Sequence, residues 1–216
     1  MSEGKVDLKR SLDGYQARRG VFRVVEVPAQ RFLMIDGHGD PNTSAEYAAA
    51  LETLYPVAYA VKFASKADFG RDYVVPPLEA LWWADDMAAF TTHRDKSRWS
   101  WTAMLLVPDW IDEEMIDTVV DQVSVKKAPP AIDRLRHAVL DEGTCVQTLH
   151  VGSYDDEGPV LDQMHREIIP DAGFVMTGHH HEIYLGDPRR TAPARLRTIL
   201  RQPVAPDTTT VVSGVT

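Results

Sequence analysis

Cysteine is nearly absent: Cys145 stands alone among 216 residues. A single thiol excludes an intrachain disulfide, so nothing in cysteine usage points to an oxidising compartment. Cys145 sits in Thr144-Cys145-Val146-Gln147-Thr148-Leu149, which reads as a strand. A small buried hydrophobe is expected there rather than a nucleophile. No apolar run approaches the roughly 18 residues needed to span a bilayer. The opening segment MSEGKVDLKRSLDGYQARRG lacks the apolar stretch of a secretory signal. A cytoplasmic location with no membrane partner is expected. Basic charge is in deficit, with Lys+Arg 23 against Asp+Glu 32 and a formal net charge of -9. Nucleic acid is therefore disfavoured as a partner, because phosphate binding needs clustered Lys and Arg. No GxGxxG, P-loop or GxSxG motif is present.

With 44% hydrophobic residues the chain can bury a sizeable core. Residues 1–20 are polar and basic and read as an arm or short helix outside the core. Val21 to Val27 and Arg31 to Gly37 read as strands. Thr43-Ser44-Ala45-Glu46 has capping-box spacing, so a helix should begin there. Pro56 should kink or end that helix; the apolar pattern resumes beyond it, which favours a kink, and closes at Asp68 to Gly70. One strand is expected within Asp72 to Ala84 and another from Trp99 to Val107. An amphipathic helix should span Asp112 to Val123. Pro129 and Pro130 can start a further helix, stopped by Gly143. Thr144 to Val151 is the next strand, followed by an acidic loop and a helix from Pro159 to Pro170. A short strand after Gly173, a strand from His179 to Leu185 and a last one near Leu196 to Val204 complete the pattern. Residues 205–216 read as a polar, loose tail.

The two parts of the chain echo each other. RFLMIDGHGD and TLHVGSYDDEG each join a strand to a Gly/Asp loop and a helix, and two strands follow each helix. The fold class is therefore α+β: two pseudo-symmetric strand-helix-strand-strand units, about 21–125 and 144–204, within one domain spanning 21–204. A ligand cleft is expected between them.

Strand alternation puts His179 and His181 on one face and His180 and Glu182 on the other. Two histidines at this spacing invite a metal, but no motif completes a ligand set, so neither a metal nor a cofactor is expected. Glu182 lies in a strand that should be central, where a carboxylate is rarely buried without a partner or a function. Glu79 has the same standing in the first half. Trp82, Trp83, Trp99 and Trp101 lie on two strands expected to be neighbours, with Tyr73 close in sequence. Tryptophan usually belongs to the core, yet four on adjacent strands suggest an aromatic cleft. A carboxylate among aromatic rings suits flat and cationic ligands.

In HHEIYLGDPRRTAP and LRTILRQPV, and upstream in DYVVPPLEALWWAD, VPDWIDEEM and TLHVGSYDDEGP, the sequence resembles the GyrI-like small-molecule-binding family. The resemblance implies the doubled strand-helix-strand-strand fold of the SHS2 type. It also implies a pocket glutamate at Glu182 and a tyrosine at Tyr184, both candidate catalytic and ligand-binding groups. Tyr73, Trp82 or Trp83, and Trp101 are the implied pocket aromatics. In that family the fold serves as the effector-binding part of multidrug-responsive regulators and as standalone proteins. Some standalone members hydrolyse cyclopropane-bearing DNA-alkylating compounds.

The expected function is binding of hydrophobic, aromatic and often cationic small molecules. The alternative is a hydrolase that opens the cyclopropane of a dienone with water. A protein partner is not indicated.

Overall fold

The computed structural model describes residues 4–85 and 95–208. Nine strands form one antiparallel sheet. They are β1 Arg23–Val27, β2 Gln30–His38, β3 Leu78–Trp83, β4 Ser100–Val107, β5 Arg136–Leu140, β6 Gly143–Val151, β7 Phe174–Met176, β8 His180–Tyr184 and β9 Arg197–Pro206. Across the sheet the order is β1-β6-β9-β8-β3-β4-β2-β5, with β7 paired to the end of β9. The order mirrors itself about the β3–β8 junction. Each strand-helix-strand-strand segment supplies three adjacent strands, β2-β4-β3 and β8-β9-β6. The outermost strands are exchanged: β1 precedes the first segment but pairs with β6 of the second, and β5 precedes the second but pairs with β2 of the first.

Helix α2, Ala45–Asp68, starts where Ser44 Oγ accepts from the Tyr47 amide at 3.4 Å. The cap is thus one residue beyond the one that the capping-box spacing suggests. The helix runs unbroken through Pro56. Helix α3, Glu113–Lys127, is capped by Asp112, whose carboxylate accepts from the Met115 amide at 2.9 Å. It ends at Ala128 in a left-handed conformation, φ 41°. The helix expected after Pro129 does not form. A single turn of 3-10 helix at Ile132–Arg134 leads instead into β5, an edge strand whose outward residues gave no strand signal. The helix expected from Pro159 to Pro170 is present as α-helix over Gly158–Gln163 and Ile169–Asp171, joined by a π turn at Met164–Ile168. Pro170, which has no N–H to donate, sits where the π turn hands back to α geometry.

Cross-strand partners share a face, so the register Ile35↔Ala103↔Ala80↔Glu182↔Leu200↔Thr148 defines one side of the sheet. On this side α2 and α3 cover Leu33, Ile35, Trp101, Ala103 and Leu105. The broken helix covers Val146 and Leu200 through Met164 and Ile169. The central strands β3 and β8 lie between these two coverings.

The opposite side carries Phe32, Met34, Leu81, Met104, Leu106, Leu149, Ile183 and Ile199. The N-terminal segment packs there, through the short helix α1, Leu8–Ser11, and the buried Tyr15. Residues 8–17 are therefore not outside the core. They are the lid of its second layer. The expected tail from residue 205 begins inside β9, and 209–216 lie outside the described residues.

Candidate functional site

Strand β8 presents His180, Glu182 and Tyr184 toward the helices and His181 and Ile183 toward the other side, as alternation requires. Ala80 stands opposite Glu182 across the β3–β8 junction, so Trp82, two residues on, shares its face. Trp82 Nε1 donates to Tyr184 Oη at 3.0 Å, and the Tyr184 hydroxyl donates to Glu182 Oε2 at 2.7 Å. This chain of donors fixes one carboxylate oxygen. The other, Oε1, lies 3.5 Å from His180 Nε2, and both side chains are largely withdrawn from solvent.

Aromatic rings surround this carboxylate. Tyr47, from the first turn of α2, stacks on Trp82 at 6.1 Å and meets Trp101 edge-on at 4.9 Å. Trp99 meets Trp82 edge-on at 5.6 Å. Tyr154, from the acidic loop after β6, meets Tyr184 edge-on at 5.5 Å. Burial, then the Glu182 charge, raises the Tyr47 and Tyr184 phenols well above the usual tyrosine range. Tyr154 is pushed up to about 12, by burial first and then by Glu157 and Glu182. All three hold their protons at neutral pH, and Tyr184 donates its own to Glu182. His165, on the π turn, meets His180 at 6.1 Å. Burial and then the charge of His180 push it down to about 4, so it is neutral at pH 7. A hollow of about 420 Å³ is lined by Asp40, Thr43, Asp95, Lys96, Ser97 and Asp155, and by none of Glu182, Tyr184, Trp82, Tyr47 or Tyr154. Lys96 bridges its two sides by pairing with Asp155 at 2.9 Å.

The structure brings Glu182, Tyr184 and Trp82 together and sets Trp101 behind them. Trp101 is fully buried beneath Tyr47, facing Gly37, where an added Cβ would fall 2.1 Å from the indole ring. It supports the wall rather than lining it. Three expected ligand-binding residues lie elsewhere. Tyr73 is buried against Trp110. Trp83 points to the opposite side of the sheet, where it stacks on His179 at 4.4 Å. Glu79 also points away from Glu182 and is buried. Its carboxylate accepts from the Tyr15 hydroxyl and pairs with His181 at 2.9 Å. The site residues that sequence missed are Tyr47 and Tyr154. Tyr47 passes as an ordinary apolar helix position, and Tyr154 sits in a loop with no periodicity to aim it.

Cys145 is buried, and burial followed by the Glu142 charge pushes its thiol up to about 12, which suits packing and not attack. Among the described residues no three His, Cys, Asp or Glu side chains converge to hold a metal ion. No helix among them is long and apolar enough to cross a membrane.

Residues 21–205 match the model of the GyrI-like small molecule binding domain. No curated protein matches the chain. Among solved structures, an uncharacterized conserved protein from Listeria innocua is 35% identical with a TM-score of 0.84, over 93% of this chain and 100% of that one. A Listeria innocua protein described as a hydrolase is likewise 35% identical, with a TM-score of 0.80 over the same shares.

Proposed function

Because the chain belongs to the GyrI-like small-molecule-binding family, we propose that it takes flat aromatic molecules into the cleft beside Glu182 and hydrolyses an electrophilic one with water. The observation that carries this reading is the orientation of Glu182. A carboxylate that served only as a counter-charge would need no fixed direction. This one is held by Tyr184, itself held by Trp82, with one oxygen left for a proton. The likeness to a Listeria innocua hydrolase at 35% identity supports the same reading.

The aromatic faces of Trp82, Tyr47 and Tyr154 hold a flat substrate in place. Glu182 Oε1 takes a proton from water as the water oxygen attacks the electrophilic carbon. Tyr184 spends its own proton on Glu182, so it is a positioning residue. The hydrogen bond to a developing oxyanion falls to Tyr154 or Tyr47, whose protons are held firmly. Tyr73, packed against Trp110, has no part in it.

The test is mass spectrometry of a cyclopropane-fused dienone incubated with the protein. Wild type should give the water adduct. Glu182→Gln should lose about a hundred- to ten-thousandfold in rate while still binding the neutral compound. Turnover of Glu182→Gln at the wild-type rate would remove the general base.

A second reading has its own observation, the carboxylate ringed by aromatic faces, which suits a flat cation. Under it a rhodamine-type dye quenches tryptophan fluorescence, Glu182→Gln weakens that binding, and the dienone is recovered unchanged.

A further inference from the structure

The pair His180 and His165 takes no part in the reaction above, yet it stands directly behind the base. His180 Nδ1 and Nε2 and His165 Nε2 are buried with no hydrogen-bond partner in the protein. Groups of this kind are uncommon in folded proteins and call for a reason. His180 Nε2 faces Glu182 Oε1 at 3.5 Å, and the His165 ring lies 6.1 Å beyond. His165 is carried on the π turn, a local departure from α geometry that re-aims the side chains on it. One helical turn before it stands the exposed Asp162, near enough for its charge to act on His165. Glu182, His180, His165 and Asp162 thus follow one another from the largely buried carboxylate to the exposed helix surface.

We propose that His180 and His165 are a proton relay that resets Glu182 after each turnover. The proposal rests on the hydrolysis reading. In that reaction water forms the new C–O bond and gives one proton to Glu182. The bond to the leaving atom breaks with its electron pair on that atom, which takes a proton from solvent. Glu182 is left neutral and must lose its proton before it acts again. Among the protein groups beside it, Tyr184 engages Oε2, and Trp82, Tyr47 and Tyr154 keep their own protons. The outlet is His180. Its Nε2 accepts the proton from Oε1, and its Nδ1 proton passes to His165 Nε2 across a bridging water, since the two nitrogens make no direct hydrogen bond. His165 then releases a proton to water beside Asp162. His165 suits this step because it is neutral at pH 7 and, with its proton affinity lowered to about 4, does not retain what it receives.

His165→Gln keeps a polar group but cannot carry a proton onward. With the dienone in excess, it should release one equivalent of product in a burst at close to the wild-type rate. The following steady state should be about tenfold slower, and added imidazole should restore it. His180→Asn should behave alike. If wild type consumes no dienone, the hydrolysis reading falls and the relay with it. If wild type turns over and His165→Gln shows neither burst nor rescue, the relay alone is overturned. Coupling is also measured without substrate, by ¹⁵N NMR titration of the histidine rings. Glu182→Gln should alter the titration of His165, and an unchanged His165 would overturn the relay even if the histidine variants fail to fold.

Discussion

Tyr184→Phe would remove one hydroxyl and disturb two neighbours. Glu182 Oε2 would lose its 2.7 Å donor, and Trp82 Nε1 its acceptor at 3.0 Å. A buried polar group left without a partner costs about 1–3 kcal/mol, so the urea midpoint should fall by a corresponding amount. Dienone turnover should drop more than dienone affinity, because the variant still has the aromatic walls but a loosely held base. Equal losses in both would mean that Tyr184 is only a wall. At this scale the family resemblance singled out Glu182 and Tyr184, and their contact follows from strand alternation, which sets residues two apart on one face. The sequence misled about Glu79. Matching the halves by motif sets Leu78-Glu79 beside His181-Glu182, whereas the strand register sets Ala80 against Glu182. A shift of one residue sends a side chain through the sheet.

Helix α2 was legible to within a residue of its start because its apolar period persists across Pro56. The proline still has a cost. It cannot donate to the Glu52 carbonyl, and proline in a helix interior is about 3 kcal/mol worse than alanine. Pro56→Ala should therefore raise stability by up to about 3 kcal/mol, read from urea unfolding, with dye quenching unaltered. A loss of stability would show that Pro56 makes packing contacts worth more than the missing bond. The π turn at Met164–Ile168 had no sequence signature, because it is a change of hydrogen-bond register and not of residue type. Strand β5 was missed because Pro129-Pro130 and Gly143 bracket it like helix ends. An edge strand also has one neighbour, so its residues are under weaker compositional demand.

At the scale of the molecule, the two sides of the sheet do different work. On the side of the sheet opposite Glu182 lies a buried charged network. His181 pairs with Glu79 at 2.9 Å and with Glu142 at 3.0 Å. Arg201 pairs with Glu142 at 2.7 Å, bonds Gln147, and donates to the Gly14 carbonyl of the N-terminal segment. Tyr15 closes the group over Glu79. Burial alone would lower the His181 pKa, but the Glu142 charge and the hydrogen bonds to Glu142 and Glu79 outweigh it and raise it above the usual histidine value. Against the same opposition from burial, His181 and Arg201 bring Glu142 down to about 2. The stability due to His181 is therefore full below about pH 6.5 and drains away as pH rises through its raised value. That due to Glu142 is full above about pH 4.5 and is lost as pH falls toward 2. Urea midpoints should be level between these limits and decline on the alkaline side. His181→Gln should cost about 3–5 kcal/mol at pH 6 and abolish the alkaline decline due to this group. A wild-type midpoint that rises above pH 7 would refute a protonated His181. None of this network was legible beforehand, because its members come from five separate segments, and polar residues in a basic opening segment look like surface.

The exchange of the outer strands has a consequence for a chain made from one end. Strand β1 leaves the ribosome early, but its partner β6 is synthesised after the whole of β2, α2, β3, β4, α3 and β5. Tyr15 waits longer for a complete network, since His181 and Arg201 come later still. The nascent first half can pair β2, β3 and β4 and cover them with α2, while the other side of that sheet stays bare. Its apolar surface at Phe32, Met34, Met104 and Leu106 is a target for chaperones during that interval. The segment around Tyr15, made before every strand of the sheet, is among the last to reach its place.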